Sequence, residues 1–280
     1  MQSLVLKRFS SHSRFLGRCR SRVMSRTALA LTAASALALA GCVQTRQYAD
    51  AEFAPPQGDY SLLVLRPYVS VGSITTGGLV EPRAEWTEQA RAHILEALRQ
   101  QQAGRGGRTM VLDSRAGVRG MSEQQVADIE RLFQAVGSAI IVHRYAGLRL
   151  PTKRRGLDWT LGEDAVALGR ATGMDYALFL SANDAQASGG RTALQVIGIA
   201  GCFIGFCAPQ SGGSQSAYAS LVDLRTGEVV WFNILQTNSQ FPGVAFGDIR
   251  TPEGAAQMVE RLIGRMRAGR HVRERRDQAR

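Results

Sequence analysis

The sequence predicts an α/β (α+β) domain: a mixed sheet of about five or six strands that ends in a carboxyl-terminal antiparallel β-hairpin, covered by about three or four helices. Three observations predict it. Apolar residues recur at helical spacing between short apolar runs of strand length, as with Ala90, Ile94, Leu95 and Leu98 between Tyr60–Leu65 and Thr109–Leu112. Two apolar runs, Ala217–Leu224 and Val229–Asn233, flank the turn Arg225-Thr226-Gly227-Glu228, the pattern of a β-hairpin. Thr251-Pro252-Glu253 then opens a last helix with proline in its first turn, where a missing amide costs nothing.

Taken in order, residues 1–41 read as a secretory signal peptide. The run Thr27–Ala38 carries no charge, follows an arginine-rich start and closes on small residues. It is shorter than the roughly 20 residues a spanning helix needs. Residues 1–23 are rich in serine and arginine, and Met24-Ser25-Arg26 before the apolar run would by itself make a compact signal, so translation is expected to start at Met24. A mitochondrial-type presequence is the rival reading, and the cysteine that closes the run argues against it. Leu39-Ala40-Gly41-Cys42 resembles the lipobox of bacterial lipoproteins. That resemblance implies a diacylglycerol on the Cys42 thiol, cleavage before Cys42 and acylation of the new amino group. A single acyl chain anchors a protein marginally, and two or three hold it durably. Val43 at the second mature position, instead of aspartate, implies the outer membrane and its periplasmic face.

From 42 to 59 the chain is polar and contains Pro55-Pro56-Gln57-Gly58, which predicts a flexible tether; a single periplasmic domain is expected over 60–267 and a basic disordered tail over 268–280. Tyr60–Leu65 reads as a buried strand ended by Pro67, and residues 73–78 as a glycine- and threonine-rich loop. A helix is expected over 83–103, then the strand Thr109–Leu112. The glycines of 104–108 follow a helix and precede a strand, the reverse of the order that aims amides at phosphate, so a phosphate loop is rejected. Ser122 and Gln125 form a capping box, with Val126, Ile129, Leu132, Phe133 and Val136 on one helical face. Gly137 is expected to end that helix and Ser138–Tyr145 to be a strand bearing His143 as a satisfied imidazole. Residues 163–172 read as a helix, and 173–180 as the entry to the central strand.

Two segments stand out as candidate contact sites. Leu150–Gly162 combines Lys153, Arg154 and Arg155 with the apolar anchor Trp159, a mixture suited to partner binding and equally to a solvated connection pinned by one buried indole. Residues 191–209 are apolar and glycine-rich. A core strand followed by a tight loop, tied by a Cys202–Cys207 disulfide that the periplasm would permit, is the reading adopted. An exposed apolar patch and a membrane-inserting hairpin are the rivals.

Charge excludes one class of partner. The formal charge of +11 comes from the ends: the first 41 residues hold seven basic residues and no acid, and 264–280 hold seven arginines against Glu274 and Asp277. Residues 42–263 sum to −1, so nucleic acid is not an expected partner. No metal, no cofactor and no catalytic residues are expected: no elbow or zinc-protease motif occurs, and no cysteine or histidine pairs stand at ligand spacing.

The strand entered through Gly173-Met174-Asp175-Tyr176 and the hairpin Leu221-Val222-Asp223-Leu224-Arg225-Thr226-Gly227-Glu228-Val229-Val230-Trp231, followed by a closing helix, resemble a group of envelope lipoproteins. The group comprises the penicillin-binding-protein activator lipoproteins, the curli secretion-channel lipoprotein and the related amino-terminal domain of the Tol translocation protein. The resemblance implies a non-enzymatic role, by docking on an envelope partner or by homo-oligomerisation. Asp223, Thr226, Gly227 and Trp231 carry it, and their work is structural. A secretion or transport channel subunit with a membrane-contacting segment at 191–209 is the alternative, and a periplasmic enzyme built on the Lys153–Trp159 loop a more distant one.

Overall fold

Alternation with a period of two decides the architecture. Leu62 and Val64 leave their strand on one side and Leu63 and Leu65 on the other, and all four are buried, so the sheet is covered on both faces. The structure is a computed structural model that describes residues 44–57, 59–103, 107–153, 156–202, 213–239 and 247–267. Along them run β1 (Gln44–Ala49), β2 (Ser61–Val64), β3 (Tyr68–Ile74), β4 (Val80–Pro82), α1 (Ala84–Ala103), β5 (Arg108–Val111), α2 (Glu123–Arg144), α3 (Gly162–Thr172), β6 (Tyr176–Ala187), α4 (Gly189–Cys202), β7 (Gly213–Asp223), β8 (Val229–Ser239) and α5 (Pro252–Ile263).

The fold class is the expected mixed α/β arrangement, with a wider sheet of eight strands and, among the described residues, five helices. Its main path is β1-β8-β7-β6-β2-β5. β6 is the central strand: it pairs antiparallel with β7 along its length and parallel with two strands on its other side. β2 takes its first part, Leu62 opposite Tyr176 to Val64 opposite Leu178, and β3 its second, Tyr68 opposite Ser181 to Ile74 opposite Ala187. Pro67 explains the division, because it cannot donate to a ladder and so breaks one extended run into two. β4 closes on β3 as a short antiparallel partner.

One face of the sheet is covered by α1 and α5, through Ala90, Ile94 and Leu98 and through Met258, Val259 and Leu262. The other is covered by α2, α3 and the segment from Leu157 to Leu161. Both amphipathic helices of the first face lie where their apolar spacing requires, and Thr251 caps α5 by accepting the Gly254 amide at 3.1 Å. The capping box of α2 is present in both directions: Gln125 N donates to Ser122 Oγ at 3.2 Å and Ser122 N to Gln125 Oε1 at 2.8 Å.

Three expectations are corrected. The stretch 42–59 does not begin as a tether, since β1 pairs in register with β8 from Gln44 opposite Gln236 to Ala49 opposite Trp231. Polar groups hold it. Gln47 Oε1 accepts from Trp231 Nε1 at 3.3 Å, Gln47 Nε2 donates to Arg265 O at 2.7 Å, and the Tyr145 hydroxyl donates to Arg46 O at 2.6 Å. Phe53 then plugs the core at 7% exposure.

Gly137 does not end α2, and 138–145 is not a strand. The helix continues to Arg144, and Gly137 is there because a Cβ at that position would stand 2.4 Å from Tyr218 Cε2. The helix accepts glycine's cost of about 1 kcal/mol so that an aromatic ring can close against its backbone. Ile140 and His143 continue the buried face.

Residues 191–202 are not a core strand. They belong to α4, on which Leu194, Val196 and Ile197 are exposed.

Candidate functional site

Among the described residues, five exposed large apolar side chains lie where β6 gives way to α4 and on the adjoining hairpin. Ser188 makes the turn: its amide donates to Ile74 O at 2.9 Å, its hydroxyl accepts from Arg191 N at 3.3 Å, and its carbonyl accepts from Thr192 N at 2.8 Å and Thr192 Oγ1 at 3.0 Å. The first turn of α4 presses on the β3–β4 connection, since a Cβ on Gly190 would meet Thr76 Oγ1 at 2.7 Å and one on Gly78 would meet Arg191 NH1 at 3.3 Å. Arg191 itself is turned inward and buried. Beyond it the helix shows Leu194, Val196 and Ile197, the last two at 57% and 65% exposure. Leu79 and Val80 of the adjoining hairpin are exposed to 74% and 54%. Apolar exposure gathered at one end of a domain is a mark of an interaction surface.

Beneath this end lies a buried polar layer that no local pattern in the letters singles out. Asp184 on β6 is 3% exposed, and its Oδ2 accepts from Gln215 Nε2 and from Gln186 Nε2, both at 2.9 Å. Gln215 Nε2 also donates to Gly247 O at 2.9 Å. Asp184 Oδ1 and Gln215 Oε1 have no hydrogen-bond partner among the described residues. Burial pushes the Asp184 carboxyl up to about 6; the two glutamine amides oppose that, the Asp248 charge adds to it, and Arg250 weakens it. Asp248 and Arg250 form their own bidentate pair, and the Arg250 guanidinium lies 4.4 Å from the centre of the Trp86 ring.

The loop singled out in the sequence is at the other end of the sheet, and its apolar anchor is spent inside. Trp159 is 9% exposed and packs with Leu157 and Leu161, and its carbonyl accepts from Val229 N at 2.8 Å. Lys153 Nζ sits 4.6 Å from the centre of the Trp159 ring and donates to Asp158 O at 2.6 Å. His143 Nδ1 accepts from Leu150 N at 2.9 Å, with its ring 6.2 Å from that of Trp159. Lys153 and Trp159 are thus brought together, and they and His143 are engaged in holding the loop down. Arg154 and Arg155 lie outside the described residues, as do Cys42 and Cys207. Cys202 is the last residue of α4, and the expected pairing with Cys207 therefore falls outside the described residues as well.

A cavity of about 50 Å³ lies at the β2–β3 break, lined in part by Arg66, Arg91, Arg115, Glu130 and Phe133. Its guanidinium groups are occupied. Arg115 binds Glu130 through Nε and NH2 at 2.8 and 2.6 Å, Arg66 pairs with Glu88 at 3.6 Å, and Arg91 pairs with Glu88 and donates from Nε to Pro67 O at 3.3 Å. That arrangement locks the strand break and leaves far less room than the roughly 300 Å³ or more of a small-molecule site. Among the described residues, no group of three or more histidine, cysteine or acidic side chains converges as metal ligands would, and no helix is long and apolar enough to cross a membrane.

The sequence matches no protein-family model and no curated protein. Solved structures similar to the chain include a PelC dodecamer from Paraburkholderia phytofirmans, at 12% identity over 80% of this chain and 100% of that one, with a TM-score of 0.31. The LpoB C-terminal domain from Salmonella enterica is 18% identical over 66% of this chain and 88% of that one, with a TM-score of 0.24. A lipoprotein from Neisseria meningitidis is 17% identical over 64% of this chain and 81% of that one, with a TM-score of 0.25. Scores this low do not establish a common fold.

Proposed function

We propose that the chain is a non-enzymatic lipoprotein of the cell envelope, held at the periplasmic face of the outer membrane by acyl chains on Cys42, whose domain acts by contact with an envelope partner or with further copies of itself. The observation that carries this reading is the tetrad Leu39-Ala40-Gly41-Cys42 closing an uncharged apolar run, with a folded strand starting at Gln44. The signal would be spent on export and on the anchor, leaving the folded domain close to the leaflet. A contact role is supported by how the eye-catching side chains are used. Trp159, Lys153 and His143 fasten one loop, and Asp223 is held by Arg225 through bonds of 3.0 and 2.5 Å.

A channel subunit that inserts residues 191–209 is the second reading, and the exposed Leu194, Val196 and Ile197 favour it. The described helix has 14 residues, which at about 1.5 Å per residue falls short of a hydrocarbon core about 30 Å thick. It suits a surface-lying segment better than a spanning one.

Crosslinking in intact cells, followed by identification of the captured proteins, tests the contact role. Recovery of one envelope protein supports docking, and recovery of the chain alone supports assembly. Monomer only, at every crosslinker length, would contradict both.

A further inference from the structure

The position of β1 fixes which end of the domain a lipid anchor at Cys42 can serve. Gln44 lies opposite Gln236 of β8, Gln236 opposite Ser216 of β7, and Ser216 opposite Asn183 of β6. Asn183 is a few residues short of Ala187, where β6 ends and α4 begins. The chain therefore enters the sheet near its α4 end, running away from it. Only Val43 separates Cys42 from Gln44, and the two residue steps between them reach only about 7 Å even fully extended. An anchor on so short a lead allows the domain no distance from the leaflet, and the end it draws in is the one that shows Leu79, Val80, Leu194, Val196 and Ile197 to solvent.

We infer that the α4 end of the domain rests on the lipid leaflet that holds the anchor, with α4 lying in the interface and its apolar side chains among the headgroups and first acyl carbons. This rests on the acylation of Cys42 proposed above. Lipid is the occupant that the chain itself argues for. Residues 192–209 carry no acidic or basic side chain, and the one charge at the start of α4, Arg191, is folded inward. A segment entering an interface must be free of charges on its buried side, and the exposed Glu81–Arg83 pair beside Val80 marks where the patch meets water. The helix is too short to span, and Leu194, Val196 and Ile197 already stand exposed on it, as on a segment that lies on a bilayer. The opposite end of the sheet, with the β7–β8 turn and the Trp159 loop, is then the end presented to the periplasm.

The test uses the full acylated protein reconstituted in phospholipid vesicles, with and without bromine on the acyl chains as a contact quencher. Ile197→Trp adds a tryptophan to the exposed face of α4, and Arg170→Trp adds one to the exposed side of α3, toward the other end of the sheet. The unsubstituted protein supplies the background from Trp86, Trp159 and Trp231. The emission added at position 197 should shift to the blue and lose most of its intensity in brominated vesicles, while that added at position 170 should keep both its wavelength and its intensity. Emission from position 197 that stays red, or that turns blue without quenching because a second copy covers it, would overturn the inference and leave the anchor intact. Palmitate incorporation, measured on the same preparations, reads the anchor separately: unlabelled protein would remove the premise and the inference together.

Discussion

At one end of the sheet the β7–β8 turn is closed over by the segment from Leu157 to Gly162; at the other, where β6 runs into α4, apolar side chains of similar size stand in solvent. The closed end is sealed by backbone. Leu161 N and Thr160 Oγ1 both donate to Gly227 O, at 2.8 and 2.9 Å, and Val229 N donates to Trp159 O at 2.8 Å. The two ends also treat a buried carboxylate differently. Burial pushes both Asp223 and Asp184 up, but the hydrogen bonds of Arg225 more than offset it at Asp223, which ends below the usual carboxylate range. Asp184 has only glutamine amides and stays high. The contrast teaches that the domain is optimised for its own stability at one end and carries unresolved groups, apolar outside and polar inside, at the end argued to meet the leaflet.

Substitutions can break this comparison, and the largest effect is expected at the sealed end. Trp159→Ala should destabilise the domain by about 3–5 kcal/mol, the usual cost of deleting a large buried ring, in urea unfolding of the purified protein. A loss no greater than that of a surface substitution would mean the loop is not part of the core.

Asp184→Asn should act with the opposite sign. A carboxyl raised to about 6 stabilises the fold while it is protonated, and that contribution is lost as pH rises from the ordinary carboxylate range through about 6. At pH 7 the parent protein therefore carries a penalty of up to about 3 kcal/mol, at about 1.4 kcal/mol per unit. The asparagine variant should be more stable than the parent at pH 7, indistinguishable from it at pH 4, and free of the slope between. Equal stabilities at pH 7 would show that the carboxylate is satisfied there.

At Gly227 the backbone has φ 75°, and a Cβ would lie 2.4 Å from Gly162 O. Gly227→Ala should cost about 1–3 kcal/mol through strain and displacement of the Leu157–Gly162 segment, read as a lower urea midpoint with an unchanged slope. An unchanged midpoint would mean that the turn and the loop over it are loosely joined.

The smallest effect is expected at the open end. Ile197→Ser removes an apolar side chain as large as many in the core, yet the stability of the detergent-solubilised domain should change by no more than about 0.5 kcal/mol. A cost of core size would show that α4 packs against the domain and is not free for the leaflet.

The parts of the fold legible in the sequence were those whose burial follows one period. Ala90, Ile94, Leu95 and Leu98 marked α1, and Val222, Val229 and Trp231 marked the hairpin, because each element has one buried face and a local signal at its end. β1 escapes notice for the opposite reason: it is an edge strand held by Gln47 and the backbone of Arg46, and a polar strand without alternation reads as a tether. Gly137 reads as a helix stop because nothing in the letters reveals that Tyr218, distant in sequence, closes on it. The run 191–209 is mostly apolar without one clear period, so periodicity could not separate a core strand from a helix, and only the structure shows Val196 and Ile197 facing out. Asp184 and Gln215 were invisible because a lone acid in a strand becomes informative only when its register partner is known.

The central claim is an acyl anchor on Cys42 that holds this domain directly at a leaflet, and radiolabelled palmitate fed to cells producing the full chain tests it most directly. The account predicts a labelled, processed product from the native chain and an unlabelled, unprocessed one from Cys42→Ser. Equal labelling of the two, or a processed product without label, would contradict it.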